Sequence, residues 1–183
     1  MNQQTDFSEA RKTANFDPAP IVQDAPWFAA YTWAHHEKQV ASQLKDRRIE
    51  CFLPFYRAVH RWKDRRKELD IPLFPGYVFV QHPPEDRLRV LQVPGVVRFV
   101  SFGGCPAPVD DAEIESLRSG IGNGVRAEPH PYLKIGRRVR VKHGPMAGTE
   151  GILVRKKDQL RVVISVDLIM RSVAVEIEAA DLG

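Results

Sequence analysis

The sequence predicts a mixed α+β protein with two domains, an N-terminal α/β sandwich and a small C-terminal closed β-barrel. In residues 25–121 short apolar strands alternate with helical patterns, which favours helices packed on an antiparallel sheet. Residues 122–134, GNGVRAEPHPYLK, carry two glycines and two prolines without periodicity, as expected of a linker. Residues 135–183 contain four or five short strands rich in β-branched residues, too little chain for a sandwich, so a barrel is favoured.

The first domain begins with an aromatic strand at 27–33, and the polar residues 1–24 before it are predicted to be a disordered tail. A charged helix follows, with Val40, Ala41 and Leu44 as its apolar stripe. The further elements are a strand at 50–56, hairpin arms at 58–62 and 68–71, a strand at 77–80, a short helix from 84 that ends before Pro94 and Gly95, a strand at 96–102, and a helix that starts at a capping-box pattern of Asp110 and Glu113.

The segment IPLFPGYVFV, residues 71–80, raises a question about the sheet. Pro75 and Gly76 exclude a buried helix, and the following strand places Tyr77 and Phe79 on one face and its two valines on the other. A half-buried sheet should show polar residues on one face, but both faces here are apolar. The aromatic face therefore meets either a partner protein or a second internal core, and alternation alone leaves both open.

Composition limits the classes of protein that this chain can belong to. Of 183 residues 43% are hydrophobic, and the net charge of +4 divides into −2, +2 and +4 over residues 1–24, 25–122 and 123–183. Such a weakly basic chain is compatible with a partner nucleic acid but does not identify one. Two distant cysteines, Cys51 and Cys105, suit a reducing cytoplasm, and neither a membrane span nor a secretory signal is visible.

No enzyme motif is recognisable in the sequence. His35-His36-Glu37 contains H-x-E but lacks the C-x-x-C partner of a zinc deaminase, and two histidines on one helix do not complete a metal site. A phosphate-binding loop and a G-x-S-x-G elbow are also missing from the sequence. We expect no catalytic residue, no metal and no cofactor.

Two motifs resemble those of the NusG family of transcription elongation factors, and they occur in the family's order. LFPGYVFV, followed by VPGVVRFVSFGG and PAPV, is similar to the signature of the NusG N-terminal domain, and GRRVRVKHGPMAGTEGILV is similar to a KOW motif. The resemblance implies an N-terminal α/β sandwich at 25–121, a linker at 122–134 and a KOW domain with an SH3-like barrel at 135–183.

The resemblance also implies a protein partner, the clamp of the largest catalytic subunit of RNA polymerase. NusG-like proteins grip this two-helix clamp through an apolar concavity, which would explain the aromatic face. The implied contact residues are Phe74, Pro75, Tyr77, Phe79 and Phe99. For Phe99 the pattern is ambiguous, because Val97 and Phe99 could equally point inward.

DNA near the transcription bubble is a second implied partner. The charged hairpin tip should touch DNA beside the clamp, although a solvated charged turn is an equally good explanation. The tip residues are Arg61, Lys63, Arg65, Arg66 and Lys67. In the RfaH-like group of antiterminators the start of the first helix reads DNA bases, a region that corresponds here to His35, His36, Lys38 and Gln39. The basic residues of that group are not reproduced one for one.

The KOW domain is expected to recruit a further protein through the loop before the last strand. The implied residues are Leu168, Ile169 and Met170, and the partner would be a small-subunit ribosomal protein or the termination factor Rho. General NusG proteins carry an aromatic residue where Ile169 stands, so we expect weak ribosome coupling, loss of Rho stimulation and antitermination as in the RfaH-like group. We also expect a monomer with the barrel free of the N-terminal domain.

Two alternatives remain open at this stage. The chain could be a general NusG-type factor that couples to Rho termination or to the ribosome. It could also be an RNA- or ribosome-binding KOW protein, because the second domain is the more basic one. Its cations are Arg137, Arg138, Arg140, Lys142, Arg155, Lys156 and Lys157, and a solvated strand face would explain them as well.

Overall fold

The structure is a computed structural model that describes residues 25–62, 65–122, 124–156 and 159–182. The strands of its first half are β1 (Trp27–Thr32), β2 (Glu50–Phe52), β3 (Phe55–Trp62), β4 (Arg65–Pro72), β5 (Tyr77–Gln81), β6 (Val96–Phe99), β7 (Ser101–Phe102), β8 (Cys105–Pro106) and β9 (Pro108–Val109). The helices are α1 (Glu37–Asp46), α2 (Arg87–Leu91) and α3 (Asp111–Gly122). The second half contains β10 (Ala127–His130), β11 (Arg138–Arg140), β12 (Glu150–Lys156), β13 (Gln159–Val166) and β14 (Arg171–Ile177). The mixed α+β class is confirmed.

The first half is built on an antiparallel sheet with the order β2-β5-β1-β6, in which β9 also pairs with β1. Central strand β1 aligns Ala29 with Phe79 of β5. Because successive residues of a strand point to opposite faces, Val78 and Val80 belong to one apolar cluster and Phe79 to another. Strands β3 and β4 form a separate hairpin.

Helix α1 covers the valine face of the first sheet. Its buried residues include Val40, Ala41 and Leu44, the predicted apolar stripe, and they pack in one cluster with Val78 and Val80. This side of the sandwich is therefore a normal helix-on-sheet core.

Helix α3 lies on the opposite, aromatic face. The carboxylate of Asp110 accepts a hydrogen bond from the Ala112 N–H at 2.8 Å and so caps the start of the helix. The Glu113 carboxylate, the other half of the predicted capping box, accepts from the Asp167 N–H instead. Ile114 and Leu117 are buried in the same cluster as Phe79. The aromatic face of β5 is therefore covered by the chain itself.

The second domain extends this cluster rather than standing apart. Met146 of the second half is buried in it, and a Cβ atom built at Gly120 of α3 would overlap the Met146 sulfur. The Ser119 hydroxyl also donates to the Pro145 carbonyl at 3.4 Å. The expectation of a second domain free of the first therefore differs from the structure, in which α3 packs against both.

The second domain is an antiparallel sheet with the order β10-β14-β13-β12-β11. In the described part of the chain this path is open, with β10 and β11 at its two edges, and the predicted closed SH3-like barrel is not seen. An isolated bridge between Val141 and Leu182 brings the end of the chain beside β11. The β-branched strands were predicted correctly, but whether they close depends on contacts that local patterns do not encode.

Strand β10 lies within the segment predicted as a linker. It pairs with β14 from Ala127 opposite Val175 to His130 opposite Ser172. Buried Arg161 of β13 bonds to the carboxylate of Glu128 in β10, and to that of Glu176 in β14 at 2.8 Å. A charge-assisted contact thus attaches this part of 122–134 to the second sheet.

The cluster that contains Phe79, Leu117 and Met146 is called the shared cluster, because both domains contribute to it. Glu113 of α3 contacts the second domain at the edge of this shared cluster. Its carboxylate accepts a hydrogen bond from the Asp167 N–H at 3.3 Å, and the Tyr132 hydroxyl donates to the Asp167 carboxylate at 3.0 Å. The pKa of the Glu113 carboxyl is raised to about 7, chiefly by burial; the hydrogen bond from the Asp167 N–H lowers it, and the charges of Asp167 and Asp110 contribute to the rise. Folding therefore favours the protonated form of Glu113, because the cost of burying its charge exceeds what the Asp167 N–H returns.

We expect a pH-dependent contribution of Glu113 to stability. Its pKa in the folded chain, about 7, lies above the ordinary value of 4.5, so the contribution is complete below about pH 4.5 and is lost as pH rises through 7. Glu113→Gln, which resembles the protonated form, should raise the thermal transition at pH 8 and leave it near wild type at pH 5. Circular dichroism at both pH values measures this, with Glu115→Gln on the exposed side of α3 as control. A shift of equal size at both pH values would contradict the assignment.

Candidate functional site

The residues predicted to bind polymerase divide into buried and accessible positions. Phe74 and Phe79 are 1% and 0% exposed, and their rings meet edge to face with centroids 5.4 Å apart. Pro75 is exposed, and Tyr77 is half-buried. The structure thus brings these four residues together, with the two phenylalanines in the core beneath α3 and the second sheet.

Phe99 is not part of this group. It is buried in the cluster under α1 and α2, on the opposite face of the first sheet. Its ring centroid lies 5.9 Å from that of Phe28 and 5.2 Å from that of His82. Burial lowers the pKa of His82, which favours the neutral imidazole beside these rings. Of the two orientations that the sequence allowed, Phe99 takes the inward one.

A buried carboxylate positions the turn before β5. Glu37, in the first turn of α1, is 5% exposed and accepts a hydrogen bond from the Gly76 N–H at 2.8 Å. Gly76 has a φ of 84°, and a Cβ atom there would lie 3.2 Å from the Tyr31 ring. Glu37 thereby connects the start of α1 to the aromatic strand, a role that its place in a charged helix did not reveal.

The aromatic face of the first sheet becomes accessible at one end. Tyr31 of β1 is 39% exposed, and its ring meets that of Tyr77 with centroids 5.5 Å apart. The Arg98 guanidinium lies 5.7 Å from the Tyr31 ring. Trp33, just after β1, is 60% exposed. The sequence contained a signal for these residues. The aromatic residues at 27, 31 and 33 are separated by even numbers of positions, which places them on one face of the predicted strand.

The predicted nucleic-acid residues at the start of α1 lie at the surface. Lys38 and Gln39 are exposed, as is His35, while His36 is partly covered. The Lys38 ammonium lies 4.9 Å from the ring of Phe55, the first residue of the β3–β4 hairpin. The base of the hairpin and the start of α1 are therefore neighbours.

The hairpin tip is described only in part. Arg61 pairs with Arg66 across the two strands, and Lys67, opposite His60, is exposed. Lys63 lies outside the described residues, as do the side chains of Arg61, Arg65 and Arg66. The strand register places the predicted basic residues at the end of the hairpin that lies away from Phe55.

The residues predicted to recruit a partner to the second domain are mostly turned inward. Ile169 is buried and Leu168 packs against the shared cluster from its edge. Met170 is 65% exposed and has a left-handed φ of 50°. Of the predicted apolar triplet, only Met170 is fully presented at the surface in this structure.

Within residues 25–62, 65–122, 124–156 and 159–182, no helix has the length and hydropathy needed to cross a membrane. In the same ranges, no group of three or more His, Cys, Asp or Glu side chains is arranged to hold a metal ion.

Comparisons with known proteins identify relatives over most of the chain. A family profile described as "Transcription termination factor nusG" matches residues 25–118. Relatives named "Transcription termination/antitermination protein NusG" come from Lactococcus lactis, with 28% identity over 85% of this chain and 90% of the relative, and from Deinococcus radiodurans, with 28% identity over 86% and 97%. The protein of that name from Escherichia coli K12 is 27% identical over 83% of this chain and 92% of its own.

Among solved structures, one that concerns domain interaction in Thermotoga maritima NusG is 24% identical, with a TM-score of 0.49, and covers 86% of this chain and 95% of that one. The family profile extends over more than half of the sequence and includes the first sheet, α1, α2 and most of α3. The chain belongs to the NusG family.

Proposed function

We propose that this protein is a transcription elongation factor that binds the clamp of RNA polymerase, suppresses pausing and promotes antitermination. The observation that carries the proposal is the aromatic face of the first sheet, whose accessible end, Tyr31 and Tyr77, continues into buried Phe79 and Phe74. Aromatic residues dominate the energetics of protein interfaces, and membership of the NusG family supports a role on the transcription machinery.

Binding through the whole face requires a change of conformation. Phe74 and Phe79 share their cluster with α3 and the second sheet, so a partner can reach them only if those elements move away. The apparent dissociation constant then rises by the inverse of the fraction of molecules that are open. Tyr31, Pro75 and Tyr77 would make the first contact, because they are accessible without that change.

The effect on transcription follows from preferential binding. A factor that bridges the clamp to the opposite side of the DNA channel holds the polymerase closed and disfavours its paused state. It can shift that equilibrium only by as much as its affinity differs between the two states. The hairpin tip and the start of α1 would touch DNA beside the clamp, adding a salt-dependent contribution.

The second domain would recruit a further partner, a small-subunit ribosomal protein or Rho. Met170 offers an exposed apolar side chain for this, whereas Ile169 and Leu168 become available only if the shared cluster opens. Release of the second sheet would thus expose both binding surfaces at once. The absence of an aromatic residue at Ile169 favours weak coupling and an antiterminator rather than a Rho-stimulating factor.

We expect Tyr31→Ala combined with Tyr77→Ala to weaken polymerase association by about 30-fold or more, as loss of interface hot spots worth about 2 kcal/mol implies. The double variant should also lose some stability, because Tyr77 packs against the apolar cluster and the edge-to-face pair adds about 1 kcal/mol beyond the buried area. Phe79→Ala should instead cost roughly 3–5 kcal/mol of stability, since it empties a core position. Pull-down with purified polymerase and urea unfolding measure the two effects, with exposed Ile135→Ala as control. Unchanged association in the double variant would contradict the proposal.

We also expect faster read-through in a reconstituted elongation assay on a pausing template. Addition of the protein should shorten pauses, and addition of Rho should not increase transcript release. Increased Rho-dependent release would instead identify a general factor of the termination type. Unchanged pausing in both conditions would exclude the elongation role.

An RNA- or ribosome-binding function is the second candidate, because one segment of the second domain carries only positive charge. Between Glu128 and Glu150 the sequence has no acidic residue, and its cations, Lys134, Arg137, Arg138, Arg140 and Lys142, are all exposed. Purification of the tagged protein from cells distinguishes the candidates. Recovery with polymerase subunits supports the elongation factor, and recovery with ribosomal subunits alone supports the second candidate.

A further inference from the structure

A cleft of about 520 Å³ lies between the start of α3 and the second domain. Its walls come from both domains, because α3 contributes Glu113 and Ser116 and the second sheet contributes residues of β11, β12 and β13. Sites for small molecules typically occupy about 300–1,000 Å³ and are found preferentially at domain interfaces. The cleft shares no residue with the surfaces proposed to meet polymerase or DNA.

One end of the cleft is positively charged. Arg138 and Arg140 of β11 line it together with Lys134 of the preceding loop, and all three side chains are exposed. Glu150 lies opposite Arg140 in the strand register, but among the described residues none of these three cations forms an ion pair. Their charges are therefore available to an anion, and an arginine can pair with two phosphate oxygens at once.

The other end of the cleft is acidic. Asp167 directly follows β13, its N–H donates to the Glu113 carboxylate at 3.3 Å, and Asp110 at the start of α3 also lines the cleft. Since β12 separates β11 from β13 and neighbouring strands lie about 4.8 Å apart, the two ends are roughly 10 Å from each other. The Asp167 carboxylate accepts one hydrogen bond from the Tyr132 hydroxyl, at 3.0 Å, which leaves lone pairs for further donors.

The floor between the two ends is apolar. Ile152 and Val163 line it, with 7% and 1% of their surface exposed, and they belong to a cluster separate from the shared cluster. Ile152 lies between Arg138 and Val163 in the strand register. A ligand that fits therefore carries an anionic group at one end, hydrogen-bond donors at the other, and a flat body that can cover apolar side chains.

We propose that this cleft binds a guanine nucleotide, with its phosphates on Arg138 and Arg140 and its base on the Asp167 carboxylate. Guanine offers two adjacent donors, its ring N–H and its exocyclic amino group, which match the two oxygens of a carboxylate. Adenine and cytosine present an amino group beside a ring acceptor, so a carboxylate pairs with them less well. The inference goes beyond the proposed function and does not depend on it, because both walls of the cleft are present in the structure.

The test measures binding of GDP to the full-length protein by isothermal titration calorimetry, with guanosine and ADP as comparison ligands. Guanosine should bind at least about 10-fold more weakly than GDP, because it lacks the charge-assisted hydrogen bonds of the phosphates. ADP should bind roughly 5- to 150-fold more weakly than GDP, the range expected for loss of one bidentate contact to a base. Absence of GDP binding would overturn the proposal, as would equal affinities for GDP and guanosine.

Two variants assign the two ends of the cleft. Arg138→Gln combined with Arg140→Gln should reduce the affinity for GDP at least about 10-fold and leave the affinity for guanosine nearly unchanged. Asp167→Asn should bind GDP and ADP about equally, because an amide presents a donor beside an acceptor, but should still prefer GDP to guanosine. Arg137→Gln, which changes an exposed neighbour that does not line the cleft, is the matched control and should change nothing.

The pattern of losses separates recognition from an effect on the fold. Equal losses for GDP and guanosine in the double arginine variant would contradict the phosphate assignment, and an unchanged preference for GDP over ADP in Asp167→Asn would contradict the base assignment. Weaker GDP binding in Arg137→Gln would indicate an unspecific attraction to positive charge and would also overturn the site. Association with polymerase is measured separately, so absence of GDP binding overturns this inference alone and leaves the elongation function standing.

Discussion

The structure depends on one apolar cluster in which the aromatic face of the first sheet, α3 and the second sheet meet. Phe79, Leu117 and Met146 belong to it, although they come from three separate parts of the chain. Burial of one large apolar side chain stabilises a fold by about 1.5–3 kcal/mol, so a shared cluster of this kind couples the two domains firmly. It also explains why β5 is apolar on both faces, since each face is covered within the same molecule.

Under the proposed function, the cluster places stability and recognition in competition. Phe74 and Phe79 would bind polymerase, but they also pack with α3 and the second sheet, and they cannot do both at once. Polar contacts at the edge of the cluster, such as that between Glu113 and Asp167, are weaker and respond to pH. Under the proposed function, opening of the cluster would therefore respond to small changes at this edge, whereas the valine face under α1 would stay covered.

Buried Glu37 couples two regions that are separate in sequence. By accepting the Gly76 N–H it joins the start of α1, with its exposed cations and Trp33 nearby, to the turn that precedes the aromatic strand. A hydrogen bond to a buried carboxylate is costly to break, because it would leave a charge without compensation. This hydrogen bond thus connects the surface proposed to meet DNA with the surface proposed to meet polymerase.

The sequence by itself determined most of the elements, their alternation and the family, although it missed β10 and predicted single strands where β2 and β3, and β6 and β7, are separate. Period-two spacing placed Tyr77 and Phe79 on one face, helical spacing identified the stripe of α1, and Asp110 marked the start of α3, because each of these signals is local. Tertiary structure alone decided that Phe79 is covered, that Phe99 points to the opposite face and that β10 pairs with β14. It also decided that Glu37 is buried and that the second sheet stays open in the described residues. These features arise from contacts between residues far apart in the chain, and periodicity reports which face a side chain takes but not what lies against it.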